Sequence, residues 1–394
     1  MQHKHSNLTA SLVWFTAAIS MAEILTGTWF APLGWKQGLL AILLGHIIGG
    51  AMFFCAGLIG AKTQKSAMQT VQISFGQKGS ILFSVLNAMQ LIGWTAVMIY
   101  MGAEVISILN QQEAQNALFP LFTVGLGVLI IVWLLMGFTN LGVIKSLSLV
   151  TMFLLMLWLT LQIISRDFIP LLEEQHHIKF GTAVEIAAIM PLSWIPVVSD
   201  HTKHTKTPLK TTALSTLAYT VTSCWMYSIG LGAALVSGKS EIAQILALSG
   251  VSIVGVLIVV TSTMINTALP AHSTGMSLNN IYAKLSVKWV SILTVVIGII
   301  LATMLPVTQY EHFLFFIGSV FAPMIGVLIA DFFVFKQREP QKNIDVIGLA
   351  IWFIGFVIYR VLMWQEWETE LGVTFPVIAF TFGLTTVVRK LTKK

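Results

Sequence analysis

The chain has 394 residues, 56% of them hydrophobic and only 10% charged, with a formal net charge of +6 and a mean hydropathy of +0.85. A soluble domain of this length cannot hide so much apolar surface, because single cores stop growing below this size and charged residues stay outside them. The composition excludes a soluble enzyme or a nucleic-acid binder and specifies an all-α polytopic membrane protein lying in a lipid bilayer.

Runs of around 20 apolar residues recur from end to end and predict about 12 transmembrane helices. The N-terminal MQHKHSNLTA is weakly basic and leads into a segment without a small-residue cleavage site, which predicts a first spanning helix rather than a signal peptide. That span ends near Leu33 and carries Glu23 amid apolar residues, followed by Gly27 and Pro32. Spans two to five run from about Gly38 to Gly60, Ile81 to Leu109, Phe119 to Gly137 and Gly142 to Ser165. The sixth, Thr182 to Asp200, holds PLSWIPVVSD, whose Pro191 and Pro196 each remove a backbone donor and predict a broken helix. Broken backbone persists in a membrane only where protein or a water-lined cavity satisfies it. The remaining spans are read at Thr212 to Ser237, Ile242 to Leu269, Trp289 to Pro306, His312 to Phe335, Ile344 to Met363 and Gly372 to Val388. Ala61 to Ser80 and Leu269 to Lys288 are read as polar connections too short for a soluble catalytic domain.

Roughly 17 of the 22 basic residues fall at the two ends and in the even-numbered connections, which by the positive-inside rule places both termini in the cytoplasm, in the inner membrane of a bacterium. Trp364 and Trp367 fit an interfacial aromatic belt. Cys55 and Cys224 sit inside apolar runs and imply neither a disulfide framework nor a metal site.

Interrupted helices in corresponding halves point to a midplane binding site in inverted-repeat transporters. Spans 1 and 6 are such a pair, five spans apart. A carboxylate at mid-membrane costs at least ~2.5 kcal/mol, so Glu23 is read as functional, against the plain alternative of a protonated acid bonded to a neighbouring helix. Trp94 and Trp194 can sandwich a flat ring, and Gln90 offers both a donor and an acceptor to its edge. Ser262, Thr263, Asn266 and Thr267 give span 8 oxygens for a small cation, or else ordinary interhelical hydrogen bonds. Asp200 and Asp331 are read as structural caps or ion pairs at span ends.

The segments IGAKT (Ile59 to Thr63), SFGQKGS (Ser74 to Ser80), QLIGW (Gln90 to Trp94), PLSW with SDHTK (Pro191 to Lys203), and APMIGVLIADFF (Ala322 to Phe333) follow one another in this order. Together the chain resembles the nucleobase–cation symporters, the cytosine, purine, uracil, thiamine and allantoin permeases. The SMAEILTG stretch around Glu23 is most similar to the hydroxymethylpyrimidine branch, CytX. The resemblance implies a LeuT-type five-plus-five inverted repeat with two C-terminal helices added: 1–180, 181–340 and 341–394. It implies that Trp94 and an aromatic residue near Ser193 or Trp194 hold the base. It implies a sodium site formed by carbonyls around Ala18 to Met21 and by span 8 oxygens. Aligned on His272 to Gly275, the span 8 positions fall on Ser262, Ile265 and Asn266, and isoleucine has no side-chain oxygen. Either the register slips onto Thr263 and Thr267, or the sodium site is weakened and a proton carried by Glu23 does the coupling.

The sequence therefore reads as a secondary transporter importing a small planar pyrimidine with sodium or a proton, with no other cofactor, working as a monomer. Glu23, Gln90, Ser193 and the two tryptophans are its substrate residues. The alternatives are another substrate of the family, such as cytosine or thiamine, and a base-binding receptor that does not transport. No nucleophile–base pair or metal-ligand cluster suggests an enzyme.

Overall fold

A computed structural model describes residues 7–109, 118–136, 142–168, 178–238, 253–304, 309–367 and 369–392. The chain is helical throughout these segments. The first span is a pair, α1 (Asn7–Ala18) and α2 (Met21–Thr28), bent by 49°. Then come α3 (Gly34–Thr63), the short α4 (Ala67–Phe75), α5 (Ser80–Leu109), α6 (Phe119–Met136) and α7 (Gly142–Ile164). The sixth span is α8 (Phe180–Leu192) with α9 (Ile195–Thr202), followed by α10 (Pro208–Ser237), α11 (Ile253–Ile281) and α12 (Val287–Met304). The last three are α13 (Tyr310–Ile329), which ends in a π-helical turn (Ala330–Val334), α14 (Val346–Trp364) and α15 (Thr374–Thr392). Among the described residues, 9 helices are long and apolar enough to cross a membrane, or 10 with the bent pair.

Three expectations need correction. Span 1 breaks at Ile19–Ser20, not at Gly27 or Pro32; Pro32 lies in a 3₁₀ turn beyond α2. The connection from Ala61 to Ser80 holds α4, started by a capping box in which Ser66 and Gln69 satisfy each other's backbone donors. Span 8 does not stop at Leu269: α11 passes through Pro270 to Ile281, and its expected start at Ile242 lies outside the described residues. A polar stretch after a proline reads as a loop, yet on α11 its Asn and Ser residues are bonded to the neighbouring α5.

Packing divides the helices into groups. The α1–α2 pair, α3, the α8–α9 pair and α10 pack on one another, while α5, α6, α11 and α12 form a second group, and α13 to α15 a third that leans on α8. Glycine sets the closest approach in the first group. A Cβ at Gly230 on α10 would lie 1.9 Å from the Ile24 carbonyl oxygen on α2, and one at Gly27 would lie 2.2 Å from the Tyr227 carbonyl oxygen. The two backbones touch, as small residues allow where apolar burial cannot drive helix association. This contact presses the carboxylate-bearing α2 against α10.

Candidate functional site

The break in span 6 lies between its two prolines, at Ser193–Trp194. Val197 and Val198 both donate their backbone N–H to the Trp194 carbonyl, at 3.0 and 2.8 Å, so the Ser193 carbonyl is left without its helical donor. Gln90 on α5 supplies one: its Nε2 donates to Ser193 O at 2.8 Å, and also to Asn87 Oδ1 at 2.8 Å. Asn87 in turn donates to the Pro196 carbonyl at 3.2 Å and to Ser277 Oγ at 2.7 Å. One face of α5 therefore holds the broken helix open. Gln90 spends its amide nitrogen on this task, and its Oε1 remains buried with no hydrogen-bond partner.

Trp94 lies one turn along α5, and its indole N–H is likewise buried and unpartnered. Its ring packs edge-on against Tyr310 and Phe313, at centroid distances of 5.8 and 5.5 Å. Trp194 belongs to a different aromatic group. It packs edge-on against Trp14 at 5.6 Å, and its Nε1 donates to Tyr219 Oη at 3.0 Å. The Ser193 hydroxyl donates back to Met190 O at 2.7 Å, so this residue contributes to the break through its carbonyl.

Glu23 sits three residues past the break in span 1, where Ser20 caps α2 by accepting from the Glu23 N–H at 3.3 Å. It is 2% exposed. Tyr219 on α10 donates to its Oε1 at 2.8 Å, and Ser223, one turn further, is hydrogen-bonded to Oε2. The Ser223 hydroxyl also pairs with His46 Nε2 at 2.6 Å, and His46 Nδ1 lies 2.8 Å from the Ile42 carbonyl. A continuous chain thus runs from Trp194 through Tyr219, Glu23 and Ser223 to His46, joining the break of span 6 to α10, α2 and α3. Sequence reasoning missed Tyr219, Ser223 and His46. A histidine in the middle of an apolar span carries the same signal as Glu23 and could have been found by it.

The cation residues lie at the other side of the same break. A cleft with room for about one water molecule is lined by Ile19, Ser20, Met21, Ala22, Ser262, Thr263 and Asn266, among others. Ile265 lines a smaller neighbouring cleft. Beside it, Thr267 turns its hydroxyl to the Thr263 carbonyl at 2.6 Å, and the Ala18 carbonyl accepts from the Ser20 N–H at 3.0 Å. The Ile19 carbonyl accepts from the Asn266 amide at 2.8 Å.

Other buried acids are structural. Asp200 Oδ1 accepts from Ala67 N at 3.1 Å at the start of α4. Asp331 takes a bidentate pair from Arg389, whose Nη1 also reaches Asp345 at 2.8 Å. Glu185, 1% exposed near the start of α8, is a further buried carboxylate that the sequence reading did not single out. It accepts from the Tyr359 and Thr374 hydroxyls and from the backbone N–H groups of Val373 and Thr374.

Comparison with known proteins bears on what this arrangement serves. A family profile described as permease for cytosine/purines, uracil, thiamine, allantoin matches residues 2–346. Cytosine permease of Escherichia coli K12 is 22% identical over 316 residues, 79% of this chain and 74% of the permease. Among solved structures, Mhp1 in an inward-facing conformation superposes with a TM-score of 0.80 at 15% identity, covering 98% of this chain and 91% of Mhp1. Mhp1, a nucleobase-cation-symport-1 family transporter, in a closed conformation with bromovinylhydantoin bound gives 0.78 at 17% identity, covering 98% and 93%. A manganese transporter of Eremococcus coleocola gives 0.64 at 13% identity, covering 98% and 96%. The fold is therefore the LeuT-type fold.

Proposed function

The chain belongs to the family of permeases for cytosine and purines, uracil, thiamine and allantoin, and from that membership we propose that it imports a small planar pyrimidine of the hydroxymethylpyrimidine type. It is a transporter of the nucleobase–cation symporter type, not an enzyme. In the proposed arrangement residues 1–180 and 181–340 are the two repeats, 341–394 are accessory, and both termini face the bacterial cytoplasm. Spans 1 and 6 flex at Ile19–Ser20 and Ser193–Trp194 to expose the site to each side in turn.

The observation that carries the substrate reading is the unpartnered Oε1 of Gln90. A buried acceptor without a donor costs about 1–3 kcal/mol. The cost is removed when a ligand donates to it. The exocyclic amine of a 4-aminopyrimidine is such a donor. In this reading Trp94 provides the face on which the ring stacks and Glu23 a carboxyl for the ring edge, while Trp194, packed on Trp14 and bonded to Tyr219, would have to turn to become the opposite wall. Ser193 acts through the carbonyl that fixes Gln90.

Uptake of labelled hydroxymethylpyrimidine, cytosine and thiamine into cells lacking their own importers tests this. Accumulation of hydroxymethylpyrimidine is expected, with a loss of at least about tenfold in Gln90→Leu, which removes a ligand hydrogen bond of ~1.4 kcal/mol and also strands the Ser193 carbonyl. Uptake of cytosine or thiamine alone would reassign the substrate within the family. Uptake of the pyrimidine that is indifferent to Gln90→Leu would remove Gln90 from the site.

A further inference from the structure

We propose that Asn87 is a positioning residue that fixes the Gln90 amide with its oxygen toward the substrate, so that the site takes bases bearing an amine there and turns away their oxo counterparts. The inference rests on the transport site proposed above and adds a polarity to it. Asn87 and Gln90 are both fully buried, three residues apart on one face of α5. An amide side chain can lie either way round, and its partners decide which end is oxygen. Two of the partners here are backbone carbonyls of the broken span, and a carbonyl only accepts.

The chain of bonds leaves no free choice. The Pro196 carbonyl must face the Asn87 nitrogen, at 3.2 Å, and the other hydrogen of that nitrogen goes to Ser277 Oγ at 2.7 Å. Asn87 Oδ1 is therefore turned to Gln90 and can only accept from it. The Gln90 nitrogen meets two acceptors, Asn87 Oδ1 and the Ser193 carbonyl, each at 2.8 Å, and spends both hydrogens on them. Turning Gln90 round would set its oxygen against both. Its Oε1 is left as a pure acceptor, buried and unpartnered. Two donors at the same break are committed elsewhere: the Ser193 hydroxyl to the Met190 carbonyl at 2.7 Å, and Trp194 Nε1 to Tyr219 Oη at 3.0 Å.

A ligand must supply the missing donor. A 4-aminopyrimidine does so with an exocyclic N–H. Its 4-oxo counterpart has nearly the same outline but puts an acceptor in that place, and it can offer its ring N–H only after shifting by one ring atom. Two buried acceptors set against each other make no bond, and both are left unsatisfied. Through Asn87 and Gln90, two carbonyls beside the break of span 6 thus choose between an amine and an oxo substituent on the base.

Two pairs of ligands probe this: hydroxymethylpyrimidine with its 4-oxo analogue, and cytosine with uracil. Binding is read from thermal stabilisation of the detergent-purified protein over a concentration series. In at least one pair the amine member is expected to bind at least about tenfold more tightly than its oxo partner. Equal binding within both pairs, tighter oxo binding, or no binding of any of the four overturns the proposal. Asn87→Leu removes one of the two bonds that orient Gln90 and is expected to cut the amine preference about fivefold. Asn87→Asp keeps an oxygen for the Gln90 nitrogen and should preserve it. A merely structural Asn87 would lower stability in both variants and leave the ratio of affinities alone, so an unchanged ratio in Asn87→Leu overturns its role. If that variant does not purify folded, Asn87→Ala carries the same readout. Transport is tested apart from polarity, by exchange of labelled for unlabelled hydroxymethylpyrimidine, cytosine or thiamine in proteoliposomes. No exchange with the amine preference intact sinks the transport reading alone, and exchange without the preference sinks the polarity alone.

Discussion

Replacing Glu185 tests how much of this fold depends on one buried carboxylate. Its Oε2 accepts from two backbone N–H groups at the start of α15, Val373 at 2.8 Å and Thr374 at 2.6 Å. These are among the donors that no helix can satisfy internally. Its Oε1 accepts from the hydroxyls of Tyr359 and Thr374. In Glu185→Ala the hydroxyls can rotate to other acceptors, but the two backbone donors cannot. Each stranded donor costs about 1–3 kcal/mol, so the pair costs about 2–6 kcal/mol. Glu185→Gln should be milder. Its carbonyl oxygen can take the two N–H groups, its amide can donate to hydroxyls that turn round, and the loss is of charge assistance alone, about 2 kcal/mol. The assay is thermal unfolding of the detergent-purified protein, read as an apparent midpoint. The alanine variant should fall by roughly 5 °C or more, and by more than the glutamine variant. An alanine variant that melts with the wild type would refute the capping account.

Three further outcomes follow from the same geometry. Glu23→Gln places an amide N–H where a protonated carboxyl O–H would point, so its apparent melting temperature should stay within about 2 °C of wild type while concentrative uptake falls to background; uptake at wild-type level would dismiss Glu23. Gly230→Ala forces a Cβ to within 1.9 Å of the Ile24 carbonyl oxygen, beyond the ~1–3 kcal/mol of ordinary overpacking, and membrane yield of the fluorescently tagged variant should collapse. Arg389→Ala strands Asp331 and Asp345, whose side chains are 0% and 6% exposed; a loss of about 3–5 kcal/mol is expected in the same melting assay, and no shift would mean the clamp is relaxed in solution.

The sequence carries the spans because spanning a bilayer imposes a length and a composition, and it carries the break in span 6 because two prolines remove two donors. The break in span 1 was misplaced for a physical reason. At Ile19–Ser20 no proline or glycine marks it, and the local feature there is Ser20, which caps the start of α2 by accepting from the Glu23 N–H. Gln90 and Asn87 were legible as polar side chains in an apolar span, but their partners are backbone carbonyls freed by a break over a hundred residues away. Partnerships of that kind are set by packing and leave no local pattern. His46 is a different case. Its type and depth are visible in the sequence, while its partner Ser223 lies 177 residues away.

The two carboxylates that sit on broken spans differ in what holds them. Glu185 is gripped by two backbone N–H groups, which can neither rotate nor accept, so an ionised oxygen there has fixed partners in any state of α15. Glu23 is held only by the hydroxyls of Tyr219 and Ser223, and the Ser223 hydroxyl can donate or accept as the proton count requires. A hydroxyl partner can donate to an ionised carboxyl or accept from a protonated one, whereas a backbone N–H can only donate. At Glu185 one oxygen is fixed as an acceptor by backbone, and at Glu23 both oxygens face hydroxyls. The α2–α10 contact beside Glu23 is backbone on glycine, so a change in those hydroxyl bonds is not absorbed by side-chain repacking but is passed to the helices themselves.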